Sequence, residues 1–313
     1  MAQVVQKAAN DSFLETFKSR ECCPLCGAVE RVQHYHRVIR DIPLTFSRCK
    51  GCDLIYQDPH PSSEGLLEYF SSNMFIKDDV FTDDLNETLG YYDYEAWDAC
   101  YRKTAQIRLS HIIDRAAPPG KLLEIGTATG SFVNEARKKG YDVRGLDVSA
   151  TFAQNARARY KVDIQQGFIE EADLPESEYD VVCAFGGIAC WYDPLKAMTR
   201  IQRTLKPGGV FVFNYSHFDN PFGRLSGDGY PEYNHASLMI YTRPTMKMLL
   251  ERAGWDVLED HTEWQYASLE RIVTYWRSNL LRKVVEAVGL SGITLKIPAV
   301  GTRFAVCRRR HQG

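Results

Sequence analysis

The chain has 313 residues, 44% hydrophobic and 25% charged, enough for one large core or for one core with a small satellite domain. A formal net charge of -2, with its only basic block at Arg308, Arg309 and Arg310, argues against a nucleic-acid partner and for a small or neutral one. The longest apolar stretch, VVCAFGGIACWY at 181–192, is too short to cross a bilayer, and the start MAQVVQKAANDSF has no signal-peptide core, so a cytoplasmic protein without a membrane span is expected.

Four of the nine cysteines form two CxxC pairs, Cys23 with Cys26 and Cys49 with Cys52. In a reducing compartment such spacing points to metal, because each tight turn aims two thiolates at one ion and two turns complete the sulfur cage that Zn²⁺ favours. Gly27 and Gly51 suit backbone that must curl toward the sulfurs. A dithiol redox pair is the weaker alternative. Four thiolates leave no open position for water, so the expected zinc is a structural staple, with Cys22 a bystander. Between the pairs, HYHRVIRDIPLTFSR alternates as a short hairpin does, with His34 and His36 read as exposed strand residues rather than ligands.

Pro59 and Pro61 mark a boundary, giving a zinc-binding domain over 1–60. A helical lead-in follows over 61–117, with Trp97, Tyr101, Ile107 and Ile112 at helical spacing and Tyr91, Tyr92 and Tyr94 as candidates to close a pocket. From residue 118 the chain alternates strands and helices. LLEIG, YDVRGLDV, VDIQQG, YDVVCAF, GVFVFNY, WDVLED and TRFAVCRR predict an α/β fold, a doubly wound seven-stranded sheet of Rossmann type with its last strand antiparallel. A helical insertion is expected at about 262–298, with Leu269, Ile272, Trp276, Leu280, Val284 and Val288 on one face. That face should pack on the core or on a neighbouring subunit, and the oligomeric state is not legible.

The stretch KLLEIGTATG carries Gly126, Ala128 and Gly130 after a strand, a GxAxG pattern that falls short of the GxGxxG of dinucleotide sites. Glu124 would repel a phosphate and welcome a cationic ligand. Asp147, at the carboxyl end of the second strand in GLDVS, can accept both hydroxyl protons of a ribose that bears no phosphate.

LLEIGTATGSF, GLDVS, GFIEEADLPESEYDVV and LKPGGVFVF, in this order, resemble the motifs of class I S-adenosylmethionine-dependent methyltransferases, over roughly residues 100 to 260. The zinc pairs followed by LIYQDPHPS further resemble a bacterial subgroup with an N-terminal zinc domain, whose members methylate sugars, natural products and envelope glycans. The resemblance implies that Glu124, Gly126, Ala128 and Gly130 serve the methionine part of the cofactor, and Asp147 the ribose. It sets Val148, Phe168 and Ile169 beside the adenine and Glu170 near its amino group. It gives Phe185 and Gly186 to the methyl-transfer site. Where many relatives carry a Glu-His pair, this chain has Ala189 and Cys190, so the role of that histidine does not carry over.

A hydroxyl acceptor needs a base. The candidates are His217, just past the fifth strand in FNYSHFDN, and His235, in the long loop GYPEYNHASL that could cover the pocket. The expected activity is methylation of a small-molecule hydroxyl on a sugar or natural product. An RNA methyltransferase, or a scaffold that binds cofactor without catalysis, is the alternative.

Overall fold

The computed structural model describes residues 11–39, 41–71, 97–275 and 279–310. Tyr91, Tyr92, Tyr94 and Trp276 lie outside them.

The N-terminal part holds β1 (Phe17–Lys18), β2 (Arg31–Ile39), β3 (Ile42–Cys49), β4 (Ile55–Gln57), β5 (His60–Pro61) and α1 (Ser63–Ser71). Strands β2 and β3 form the expected hairpin, and β4 pairs with β3. A fourth strand comes from far along the chain: β11 (Met239–Ile240) pairs antiparallel with β4, giving the order β11-β4-β3-β2. One buried cluster runs from Phe13, Leu25, Phe46 and Tyr56 into Met198, Phe211 and Trp255. The zinc-pair region and the larger sheet therefore share a core.

The larger sheet is built from β6 (Lys121–Ile125), β7 (Asp142–Asp147), β8 (Asp163–Gln166), β9 (Tyr179–Ala184), β10 (Leu205–Ser216), β12 (Trp255–Ser268) and β13 (Thr294–Arg309), in the order β12-β13-β10-β9-β6-β7-β8. The inner strands are parallel, and β13 runs antiparallel between β10 and β12. Two-residue alternation serves both faces: Val181, Cys183, Val210 and Val212 meet one cluster, while Val182, Ala184, Phe211 and Phe213 meet the other. The helices are α2 (Asp98–Ile113), α3 (Ser131–Lys138), α4 (Ala150–Tyr160), α5 (Pro194–Thr204), α6 (Pro221–Leu225), α7 (Arg243–Arg252), α8 (Leu269–Tyr275) and α9 (Asn279–Ala287). Helix α2 buries Cys100, Thr104, Ala105, Leu109 and Ile112, and of the expected stripe only Ile112 is fully covered.

The expected insertion at 262–298 is corrected in its boundaries. Strand β12 continues to Ser268 and β13 begins at Thr294, so a long hairpin carries the two short helices α8 and α9 at its tip. The ladder shifts register between Thr262 and Trp264, and Trp264 pairs with Pro298, which brings no N–H to the ladder.

Candidate active site and metal cluster

A cavity of about 670 Å³ opens over the carboxyl ends of β6, β7, β9 and β10, the usual ligand position in an open α/β sheet. Glu124, Gly126, Ala128, Asp147, Val148, Phe168, Ile169, Glu170, Phe185, Gly186 and Cys190 all lie on its wall. Gly130 does not: a Cβ there would come within 2.9 Å of the Ala156 Cβ, so its lack of a side chain lets α3 pack on α4.

The glycine loop is held from below. Gly126, Ala128 and Gly130 have φ of 76°, 44° and 76°, a left-handed backbone that alanine tolerates poorly. Ala128 is fixed there by donating its N–H to Asp147 Oδ2 at 2.7 Å, while the Ser149 N–H reaches Oδ1 at 2.8 Å. Each Asp147 oxygen keeps a further lone pair for a ligand hydroxyl. Burial pushes the Asp147 pKa up to about 6, although these two amides pull against the rise.

Several buried polar atoms around the cavity have no hydrogen-bond partner among the described residues: Glu124 Oε2, Glu170 Oε2 and Tyr241 Oη. Such atoms destabilise an empty site and are satisfied by a ligand that brings donors. Glu124 is 3% exposed, and burial raises its pKa well above the usual carboxylate range despite the nearby Arg108. Burial likewise lifts Glu170 to about 7, and lifts the Cys190 thiol to about 12, which keeps that sulfur neutral.

The two histidines part company. His217 lies behind the wall, flanked by Ser216, Val300 and Thr302, which do line the cavity. Its Nδ1 is 2.8 Å from Asp219 Oδ1, and Asp219 also accepts the N–H and Nε of Arg243. Burial opposes ionisation of Asp219, yet these hydrogen bonds hold its pKa down at about 2. His235 is fully buried and not on the wall, its ring edge-on to Phe13, and burial lowers its pKa to about 4. Its loop is anchored where Leu238 bonds to Ala189 and Gln57 and where β11 joins the N-terminal sheet, and it brings Glu232, not His235, to the cavity wall. That same docking brings Met239, Ile240 and Tyr241 to the cavity wall.

The family that carries the methyltransferase domain matches residues 101–295. The chain belongs to that methyltransferase-domain family. It is 38% identical over 93 residues to the uncharacterized methyltransferase YdaC of Bacillus subtilis, covering 28% of this chain and 51% of that protein. It is 27% identical over 165 residues to a malonyl-[acyl-carrier protein] O-methyltransferase of Enterobacter lignolyticus, covering 52% and 61%. The chain thus spans less than two thirds of the length of these relatives. Among solved structures, the [4+2]-cyclase SpnF superposes with a TM-score of 0.51 at 16% identity, over 80% of this chain and 98% of that one, a likeness of fold.

In this methyltransferase-domain protein a second part of the wall escaped the sequence. Arg108 of α2 and Glu263 of β12, 155 positions apart, pair at 2.8 Å beneath the cavity. Glu263 also accepts Asn214 Nδ2 at 2.7 Å, and Asn214 Oδ1 accepts the Gly186 N–H at 2.6 Å. Arg108 lies 4.1 Å over the Phe185 ring. The network fixes the turn after β9, where Gly186 has φ 79°. Beyond it the wall is mainly apolar, with Ala267, Ile272, Ile297, Ala299 and Val300 from the hairpin and α8, among which Gln265, Arg271 and Thr302 supply the polar groups.

The four paired cysteines converge. Sγ of Cys23 and Cys52 are 3.7 Å apart, those of Cys26 and Cys49 3.5 Å, and all four lie within 4.8 Å of one another. Sulfurs about 2.3 Å from a central ion would be about 3.8 Å apart in a tetrahedron. The two turns repeat one design. The N–H of Gly27 bonds to the carbonyl of Cys23 and that of Asp53 to Cys49, both at left-handed φ. The N–H of Gly51 points at Cys49 Sγ from 3.3 Å, and a Cβ on Gly51 would press on Ala28 at 2.9 Å. Cys22 is exposed and apart from this cluster. His34 bonds to the Tyr233 hydroxyl and His36 to Thr45, both at 2.9 Å.

Proposed function

We propose that the protein methylates a hydroxyl of a small molecule, using S-adenosylmethionine bound in the cavity. The observation that carries this reading is the set of orphaned acceptors, Glu124 Oε2 and Glu170 Oε2, set on either side of Asp147 around a loop without the third glycine of a pyrophosphate site. A cofactor with an ammonium, a ribose diol and an exocyclic amino group offers donors to all three carboxylates. Bound there, it would supply an electrophilic methyl on a positively charged sulfur.

The chain's part is alignment and exclusion of water. Asp147 would hold the ribose, Val148, Phe168 and Ile169 the adenine, and Phe185 with Gly186 would face the methyl group. His217 is the proposed base: with its Nδ1 proton given to Asp219, its Nε2 keeps the lone pair that would take the proton of an acceptor hydroxyl bound beside Ser216 and Thr302, the wall residues that flank it. The apolar wall from Ala267 to Val300 favours a natural product of mainly hydrocarbon surface over a free sugar. Cys23, Cys26, Cys49 and Cys52 would hold one structural zinc ion, all four positions filled by thiolate.

Methyl-labelled cofactor supplied with fractionated small-molecule extracts should label a product that partitions into organic solvent. His217→Ala should cut that labelling by about a hundredfold or more while cofactor affinity stays unchanged. Unchanged turnover would remove His217 from the reaction. Label appearing only in RNA would overturn the small-molecule reading.

A further inference from the structure

A second cluster of ligating side chains lies outside the cavity and away from the cysteines, where α2 packs on β12. His111 of α2 and Glu259 and His261 of β12 bring one ligand atom each to within 4.8 Å of one another. The two β12 residues share a face because they are two apart, and His111 is one turn along α2 from Arg108. His111 Nδ1 is 3.1 Å from Glu259 Oε2, and His261 Nε2 is 3.6 Å from the same oxygen. Phe304 of β13 packs against both imidazoles, with ring centroids at 5.0 and 5.4 Å.

The tautomers make this more than an ion pair. His261 Nδ1 is 3.0 Å from the Thr262 carbonyl, an oxygen that only accepts, so Nδ1 carries the proton. When the ring is neutral, Nε2 presents a lone pair. It is buried, has no hydrogen-bond partner among the described residues, and faces a carboxylate oxygen. Two electron-rich atoms turned toward each other need a proton or a metal ion between them. The other Glu259 oxygen is held by Arg115 Nη2 at 2.9 Å, which leaves Oε2 for that charge. A histidine whose second nitrogen donates to a backbone carbonyl, beside a carboxylate braced by a cation, is the usual outer support of a metal site.

We propose that His111 Nδ1, Glu259 Oε2 and His261 Nε2 bind a divalent transition metal of the zinc class, with water completing the shell. Two imidazoles and one carboxylate suit such an ion better than the oxygen-seeking Mg²⁺ or Ca²⁺. Ligands about 2.1 Å from the ion stand about 3.4 Å apart in a tetrahedron, so the spacings of 3.1 and 3.6 Å to Glu259 Oε2 need only small adjustments. The proton of His111 moves to its other ring nitrogen as the ion enters. The ion clips α2 to β12 one helical turn from Arg108, and so steadies the cavity floor.

The test is metal analysis of the full chain after equilibration with micromolar Zn²⁺ and desalting. Wild type should hold one ion more per chain than either His261→Ala or Glu259→Gln. Co²⁺ in place of Zn²⁺ should show this extra ion without the thiolate charge-transfer absorption of a cysteine-bound one. Equal metal content in wild type and variants would overturn the proposal. Should the variants fail to fold, nitrogen NMR of wild type decides: Zn²⁺ must shift the Nε2 resonance of His261. A resonance that stays put, or one that shows Nε2 protonated and insensitive to Zn²⁺, assigns the charge to a proton and refutes the metal.

Discussion

The two walls of the cavity are built by different physics. The near wall, over β6, β7 and β8, is backbone geometry: a loop with left-handed residues at Gly126 and Ala128, and a carboxylate that pins the Ala128 and Ser149 amides. The far wall, from α2, β10, β12 and β13, is a side-chain network, Arg108 to Glu263 to Asn214 to the Gly186 amide, with apolar residues outside it. The first should tolerate change badly in binding, the second in stability.

The far wall gives the largest expected effect. Glu263 is 2% exposed and pairs with Arg108, so Glu263→Ala leaves a half-buried guanidinium without its carboxylate and Asn214 Nδ2 without its acceptor. It should destabilise the protein by about 3–5 kcal/mol in denaturant unfolding. A loss below about 1 kcal/mol would mean that the network is not structural.

The near wall should instead report through pH. Asp147 near 6 and Glu170 near 7 are raised by burial, and a ligand that donates to them favours their ionised forms. Without ligand the unfolded chain ionises these groups first, so their contribution lowers stability as pH rises from about 4 to 7. Cofactor affinity should move the other way, rising by up to about tenfold per pH unit for each proton released. Calorimetry in buffers of different ionisation enthalpy checks the proton count, and a flat profile would separate these carboxylates from the site.

Ile297→Ser, on the apolar side, should raise the acceptor KM severalfold and leave cofactor affinity alone, since one buried aliphatic group is worth about 1.5–3 kcal/mol at most. The smallest effect belongs to Ala128→Gly. Removing a Cβ at φ 44° should stabilise the protein by about 1 kcal/mol or less, because the added freedom of the unfolded chain offsets part of the strain relieved.

The same contrast explains what the sequence disclosed. The glycine loop, the acid at a strand end and the CxxC turns are local patterns, each within a few residues. The fold, the cavity position of Asp147 and Glu124, and the meeting of the four sulfurs all followed from them. Arg108 with Glu263 has no local signature, and neither does β11, two residues that complete a sheet begun near residue 31. The helical spacing of Leu269, Ile272 and Val284 made all of 262–298 read as an insertion, whereas the ladder continues on both sides of the two short helices, taking Trp264 against Pro298 through a register shift. The burial of His235 against Phe13 was equally hidden, because it depends on backbone hydrogen bonds that tie its loop to Ala189 and Gln57, far away in the chain.

Isothermal titration of S-adenosylmethionine into wild type and Asp147→Ala tests the central claim most directly. Saturable binding at one site, weakened about a hundredfold in the variant by loss of charge-assisted hydrogen bonds, is the predicted result. Equal affinity in both proteins, or tight binding of NAD in place of S-adenosylmethionine, would contradict it.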